Sequence, residues 1–183
     1  MVRETVEKQE DGCRNHNIYG FTLLELLIGV VVIATLISAA APSFDALIKS
    51  NKAKRLASEI ELLLAKAKSE AVLRREVILV TAIGMADSET TADKKDWKLI
   101  ATSSNGTVIG SVNGQDFPLI RVYRQFSSTT VHFNPFTGRP DKNGHYGFYF
   151  GDASKLVKVM VNQMTGRLYK CSADGSYDYA LCS

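Results

Sequence analysis

The chain has 183 residues, 45% of them hydrophobic, and a formal net charge of +3 at pH 7. This length and hydrophobic content fit one membrane helix followed by one soluble domain. The mild positive charge permits contact with nucleic acid or an anionic surface but requires neither. No Walker A loop, HExxH, GxSxG or paired CxxC motif occurs, so we expect neither catalysis nor a bound metal or cofactor.

The first notable segment runs from Phe21 to Ala41, 21 residues in which Glu25 is the single charged side chain. A helix of that length rises roughly 30 Å, about the hydrocarbon thickness of a bilayer. A carboxylate within such a helix needs a partner. Cleavage after Gly20 supplies one, because the new ammonium on Phe21 lies one helical turn from Glu25 and is equally available to a neighbouring chain.

The segment around the Gly20–Phe21 bond resembles the prepilin signature of type IV pilins and type II secretion pseudopilins. The matching residues are Gly20, Phe21, Thr22, Leu23, Glu25, Leu26 and Leu27. The resemblance implies that a prepilin peptidase cuts after Gly20 and N-methylates Phe21, and that Glu25 guides docking onto other pilin subunits. It also implies an inner-membrane assembly platform and membrane lipid as partners. The leader, residues 1–20, departs from the family because it is long and has three basic against four acidic side chains.

Two other interpretations of this segment stay open. One is an ordinary single-span anchor in which Glu25 has no special role. The other is a secretory signal peptide cut after the small-residue run Ser38–Ala41, which would leave a soluble periplasmic protein beginning at Pro42. Two features oppose that cut. The fixed φ of Pro42 suits an extended protease site poorly, and Glu25 interrupts the apolar region.

Residues 42–75 are predicted to form an amphipathic helix, with a kink where Pro42 interrupts the helix that begins at residue 21. Lys54, Glu61 and Lys68 lie opposite the apolar face, and we expect the basic residues to be solvated. The predicted apolar face, which recurs at three- and four-residue steps and is ready to pack on a sheet, comprises Phe44, Leu47, Ile48, Leu56, Ile60, Leu63, Leu64, Ala67 and Ala71.

Residues 76–183 are predicted to form a β-rich domain, because the periodicity changes to short strand-like runs separated by glycine-containing turns. Asn105-Gly106 is predicted to turn a hairpin within Leu99–Ile109. Two segments, Phe136–Arg139 and Met164–Arg167, echo one another and are interpreted as similar turns. The predicted strands are Val77–Ile83, Trp97–Ala101, Pro118–Tyr123, Thr130–Phe133, Tyr146–Phe150, Val157–Asn162 and Leu168–Lys170.

In this region the sequence resembles a smaller group within the pilin family. Ser69–Arg75 leads into a strand as in minor pilins of the FimU and FimT type and in the H-type pseudopilin of type II secretion, and Phe133–Arg139 and Val159–Arg167 look like the C-terminal half of that domain. The fold implied is α+β, with a long N-terminal helix packed on an antiparallel β-rich globular domain. Such a subunit is present in few copies and helps to initiate a filament or lies near its tip.

The cysteines and the C-terminal basic residues offer further candidate sites. Cys13 falls in the leader, whereas Cys171 and Cys182 enclose a short loop whose closure by a disulfide would add roughly 3 kcal/mol in an oxidising compartment. Two free thiols are the alternative. Gly166–Lys170 is similar to the GRxR-like motif of DNA-uptake minor pilins, but its second basic residue is a lysine displaced by one position. The residues predicted to form a phosphate-binding patch, or otherwise to be solvating charges, are Arg167, Lys170, Lys158 and Lys155, with Arg139 and Lys142.

These patterns favour a minor pilin of a type IV pilus, made as a prepilin and anchored once in the bacterial inner membrane with its globular domain in the periplasm. An H-type minor pseudopilin of the type II secretion system uses the same assembly chemistry and stays an alternative. A FimT-like DNA-binding minor pilin for natural transformation is the second alternative.

Overall fold

The computed structural model of this protein describes residues 21–89, 92, 96–151 and 153–182, and for residues 39–42 it describes the backbone alone. The chain divides into two units, Met1–Ser43 and Phe44–Ser183. The predicted leader, residues 1–20, lies outside the described residues.

The N-terminal unit contains the first part of a single helix, α1, Leu23–Arg74. This helix includes the one described stretch that is long and apolar enough to cross a membrane. The helix continues through Pro42 to Arg74, as predicted, and the kink at Pro42 stays a prediction.

The helix ends where Arg75 adopts a left-handed backbone, with φ of 53°. The Glu76 amide then donates to the Ala71 carbonyl at 3.2 Å, which is the six-to-one bond of a Schellman cap. This cap satisfies a carbonyl that the end of a helix leaves free and turns the chain directly into the first strand.

Eight strands follow in the described part of the second unit, together with three short 3-10 helices at Gly114–Asp116, Ala153–Lys155 and Ser176–Asp178. The strands are β1 Ile78–Ile83, β2 Lys98–Ser103, β3 Val108–Asn113, β4 Ile120–Gln125, β5 Thr130–Phe133, β6 Gly144–Phe150, β7 Val157–Val161 and β8 Leu168–Ser172. They form two four-stranded sheets in the orders β3-β2-β1-β5 and β4-β6-β7-β8. Every pairing between these strands is antiparallel.

The predicted fold class, a long helix on antiparallel sheets, is confirmed. All seven predicted strands occur, with ends that shift by up to two residues, and β5 matches its prediction at both ends. The hairpin predicted around Asn105-Gly106 joins β2 to β3, where the Gly106 amide donates to the Ser103 carbonyl at 2.9 Å. Gly106 has a φ of +87°, a conformation that glycine adopts without a steric cost.

The described part of the second unit has a main hydrophobic core and a smaller buried cluster of Ala92, Tyr123, Tyr149 and Leu156, and the main core joins the helix to the sheets. Alternating side chains of the strands and one face of α1 between Ala53 and Ala71 contribute to it. Phe44, Leu47 and Ile48 are at least half exposed, so their predicted packing against the sheet is wrong. They have the right helical spacing, but the first helix residue that the sheets bury is Ala53.

A polar seam of three helix residues, Lys54, Glu61 and Lys68, runs along α1 at seven-residue intervals. Lys54 Nζ contacts Asp178 Oδ2 at 2.5 Å, Glu61 Oε2 contacts the Lys170 ammonium at 2.7 Å, and Lys68 Nζ donates to the Gly166 carbonyl at 2.8 Å. The side chain of Lys54 is 40% exposed, so it is solvated as expected, whereas Lys68 is half-buried where it donates to the Gly166 carbonyl. Both also contact the C-terminal segment.

The C-terminal segment is also closed by a disulfide between Cys171 and Cys182, whose Cα atoms are 5.0 Å apart. Inside the loop, the Ser172 amide donates to the Ala180 carbonyl at 2.9 Å and the Cys182 amide donates to the Ser172 carbonyl at 3.0 Å. The loop is thus held both by the covalent link and by a short backbone ladder.

Replacing Cys171 and Cys182 together by serine should lower the free energy of unfolding by about 3 kcal/mol, because the unfolded chain gains the entropy that the closed loop denies it. Denaturant titration of the detergent-solubilised chain measures this. A Cys13→Ser variant is the matched control and should retain the oxidised stability. Equal transition midpoints for the oxidised and reduced chain would contradict the prediction.

His145 on β6 supplies an acid-sensitive point in the core. Only 8% of its surface is exposed, and its Nε2 atom lies 3.3 Å from the Tyr123 hydroxyl. Burial, and then the positive charge of Lys158, lower the pKa of His145 from 6.5 to about 4. The native state therefore holds this imidazole neutral.

As the pH falls from 6.5 to 4, His145 should bind a proton in the unfolded chain but not in the native chain. Stability is expected to decline by up to about 3 kcal/mol over this interval, whereas above it His145 is neutral in both states and contributes no pH dependence. Thermal melts should show a shallower decline for His145→Gln, which keeps a polar group beside Tyr123. The same slope in both proteins would show that His145 does not drive the change.

Candidate functional site

The N-terminus of α1 is built by Thr22 and Glu25. The Glu25 amide donates to Thr22 Oγ1 at 3.2 Å, and the Leu26 amide donates to the Thr22 carbonyl at 3.2 Å. Thr22 thus caps the helix, and Glu25 is its third residue, as in the Thr-x-x-Glu pattern of a capping box. This pattern can be recognised in the sequence. It gives Glu25 a second, local role, because a carboxylate in the first turn interacts favourably with the helix dipole and stabilises the helix.

The Glu25 carboxylate forms no ion pair with any residue that the structure describes. The first apolar side chain of the described chain, Phe21, is 79% exposed. The large apolar side chains from Phe21 to Ile37 are all between 50% and 84% exposed. An uncovered apolar surface of this extent marks contact with a membrane or with other proteins. Gly20, the predicted cleavage position, lies outside the described residues.

Of the C-terminal basic residues, Arg167 and Lys170 line one groove of about 420 Å³, whereas Lys158 and Lys155 are not part of its lining. The side chain of Lys170 is 23% exposed, pairs with Glu61 and lies 5.9 Å from the centre of the Tyr179 ring. Its charge is already matched on the side of the sheet that faces α1. Arg167 is exposed and stacks over Tyr169, with 5.3 Å between the guanidinium carbon and the ring centre.

Strand register places Lys158 on the other side of the sheet from Lys170. Val159 is opposite Lys170, and Lys158 is opposite Cys171. Since facing residues share a side of the sheet and neighbours along a strand alternate, Lys158 and Lys170 lie on opposite sides. Lys155 is exposed in a 3-10 helix before β7.

Lys142 is likewise engaged. Its ammonium lies 2.6 Å from Asp141 Oδ2, and the ring Nδ1 of His132 lies 2.9 Å from the same oxygen. Burial tends to raise the pKa of Asp141, but the bonds from Lys142 and His132 outweigh it and lower that pKa below its ordinary value. Lys142 and Asp141 form a local polar cluster rather than an open cationic surface.

The two echoing segments are turns of the same construction. In one, Asn134 Oδ1 accepts from the Thr137 amide at 3.0 Å; in the other, Asn162 Oδ1 accepts from the Thr165 amide at 2.9 Å. The next residue in each turn, Gly138 or Gly166, has a φ near +65°. The turn therefore accounts for Gly166, whereas Arg167 contributes only its backbone amide to the turn, by donating to Thr165 Oγ1 at 3.2 Å.

No cluster of three or more histidine, cysteine, aspartate or glutamate residues that could hold a metal ion occurs among the described residues. The candidate site in the described residues is therefore the uncovered apolar part of the helix with its one carboxylate, while in the globular unit Lys170 and Lys142 are paired with carboxylates.

Comparison with known families gives two matches. Residues 15–41 match the prokaryotic N-terminal methylation motif, and residues 56–166 match the family of type II transport protein GspH. No curated protein sequence matches the chain.

Comparison with solved structures identifies the type IV minor pilin FimU of Pseudomonas aeruginosa strain PAO1. One crystal form, in space group P21, has a TM-score of 0.51 at 20% identity, covering 65% of this chain and 87% of that chain. A second form, in space group P65, has a TM-score of 0.48 at 19% identity, covering 64% and 90% respectively. At this identity the first likeness shows a shared fold.

Proposed function

The chain belongs to the GspH family of type II transport proteins, and we propose that it acts as a minor pilin of a type IV pilus. Its family and fold are those of minor pilins and pseudopilins of the GspH and FimU type. The observation that carries the proposal is the uncovered apolar part of α1, in which Glu25 is the sole charge from Phe21 to Ser43.

The proposed chemistry is assembly. Before assembly, the apolar part of α1 resides in the inner membrane; in the filament it enters a bundle with the same helices of other subunits. Both environments are apolar, and an acidic side chain at the centre of a membrane helix costs about 2.5–3.5 kcal/mol. Glu25 is near the helix end, where the cost is smaller, and pairing with an N-terminal ammonium of the same or a neighbouring subunit offsets it.

Proteolytic processing creates that ammonium. A prepilin peptidase that cleaves after Gly20 leaves Phe21 as the first residue, and the match to the N-terminal methylation motif supports this position. The Cys171–Cys182 disulfide supports a periplasmic location for the second unit, since such bonds persist in oxidising compartments. The partners that follow are other pilin subunits, the peptidase and the inner-membrane assembly platform.

A role as the H-type pseudopilin of a type II secretion system is the second candidate, and the family match favours it directly. It uses the same helix and the same ion pair in a different machine. DNA binding is less well supported, because Lys170 is paired with Glu61 and Lys158 lies on the other side of the sheet.

Substitution of Gly20 by valine should prevent processing, because the branched side chain occupies the position next to the bond to be cut. Immunoblotting should reveal a protein that retains its 20-residue leader. Gly29→Val is the matched control, since a Cβ at Gly29 meets no atom within 4 Å. Normal processing of Gly20→Val would contradict cleavage at this bond.

Substitution of Glu25 by alanine should leave processing intact but reduce the amount of this subunit in sheared pili about tenfold, which corresponds to a loss of roughly 1.4 kcal/mol in docking. Glu25→Gln separates charge from size and should behave similarly. Asp116→Asn, which removes an exposed charge from the globular unit, is the control and should assemble normally.

The same strains distinguish the two machines. Deletion of the gene, or its complementation by Gly20→Val or Glu25→Ala alone, should abolish or reduce surface pili while leaving type II secretion unchanged. Loss of secretion with normal piliation would show that the subunit assembles into a pseudopilus rather than a type IV pilus. Unchanged pilus incorporation of Glu25→Ala would contradict the ion-pair mechanism itself.

A further inference from the structure

A groove of about 290 Å³ lies in the second unit, between the beginning of its helix and the second sheet. The helix lines it with Ile48, Lys49 and Lys52, and Lys52 shares a face of α1 with the other two because it follows them by four and three positions. Leu119 and Arg121 line it from the start of β4. We call these five residues the basic groove.

The cations of the basic groove exceed its anions. Asp45 also lines the groove, and its carboxylate pairs with Lys49 at 2.6 Å. Lys52 and Arg121 have no ion pair or hydrogen bond with another side chain in the described ranges. The described lining therefore has two unmatched cations, and a ligand that fits it carries negative charge.

The basic groove is also apolar at its surface. Ile48 is 50% exposed and Leu119 is 63% exposed, and Phe44 on the same helix is 64% exposed. Leu119 has a φ of +74°, a left-handed conformation that a leucine rarely adopts. The backbone is thus held in an unfavourable conformation at the point where a large apolar side chain faces solvent. A ligand suited to these features is amphiphilic.

The place of the groove in the sequence identifies a source for such a ligand. Residues 45–52 follow Ala41, the end of the apolar segment, by 4 to 11 positions. These residues are therefore among the first to follow the segment proposed to cross the membrane. Bilayer headgroups extend roughly 5–8 Å beyond the hydrocarbon on each side, and long basic side chains reach several ångströms further toward them.

From these observations we infer that the basic groove binds the headgroup of an anionic phospholipid of the membrane in which the subunit is inserted. The phosphodiester accepts hydrogen bonds from Lys52 and Arg121, while Ile48 and Leu119 contact the glycerol and upper acyl region. This inference rests on the proposed function, since it requires a subunit anchored by the apolar part of α1. Charge attraction to anionic lipid and apolar contact act together at such a surface.

The test uses the full mature chain in nanodiscs of phosphatidylcholine alone or mixed with phosphatidylglycerol. Hydrogen–deuterium exchange of the backbone amides around Leu119 is followed by mass spectrometry. We expect severalfold slower exchange in the anionic discs, and loss of that protection at high salt. The variant Lys52→Gln/Arg121→Gln should exchange at the same rate in both discs. The variant Lys155→Gln/Arg167→Gln removes two cations elsewhere in the same unit and should keep the protection.

Each other outcome overturns the inference. Equal exchange of the unmodified chain in both kinds of disc, or protection that persists in Lys52→Gln/Arg121→Gln, contradicts headgroup binding. Loss of protection in both double variants shows a general charge effect. If Lys52→Gln/Arg121→Gln instead enters pili poorly with unaltered lipid protection, the groove contacts a neighbouring subunit. A chain that enters neither kind of disc contradicts the membrane anchoring, and the proposed function fails with it.

Discussion

The constraint on which this molecule depends is that one helix must satisfy two different surroundings. Between Ala53 and Ala71 the apolar face of α1 is buried by the sheets of its own chain. From Phe21 to Ile37 no described residue covers the apolar side chains. Lipid or other chains must therefore surround these side chains. Transfer of the helix from one of these surroundings to the other costs little free energy because both are apolar. A filament that draws its subunits out of a membrane needs this equivalence.

In the proposed assembly, Glu25 gives this exchange its specificity. Apolar helices slide past one another at little cost, whereas a lone carboxylate in an apolar bundle favours the register in which it meets an ammonium. The same residue also belongs to the first turn of the helix, where the Thr22 cap and the helix dipole stabilise a negative charge before assembly. Its charge is thus compatible with the isolated helix, and under the proposed function its ammonium partner sets the position of the subunit in the filament.

Sequence patterns predicted much of this fold but little of what covers each surface. Alternation of apolar residues predicted β5 at both ends, while β3 was seen only as part of a hairpin because Gly110 and Ser111 interrupt its apolar alternation. Helical periodicity assigned Phe44 to the core although the sheets do not reach it. Periodicity reports which side chains share a face, and it cannot report where a partner element ends. For the candidate site, Phe21 and Glu25 were predicted from a motif, whereas the basic groove combines a helix face with a loop 70 residues away and has no local signal.

The same limit of sequence periodicity explains why the partners of the cationic side chains were not predicted. Nothing in the sequence distinguishes the paired cations from the unpaired ones, Lys52 and Arg121. In the structure, a carboxylate or carbonyl distant along the chain contacts each of Lys54, Lys68 and Lys170. Exposed pairs of this kind add little stability individually. Together with the Cys171–Cys182 disulfide, however, they hold the C-terminal segment on α1 and remove three charges from the set available to a ligand. The charges that remain unmatched are the ones that bear on recognition, and in the described part of the chain two of them share a groove with exposed apolar side chains.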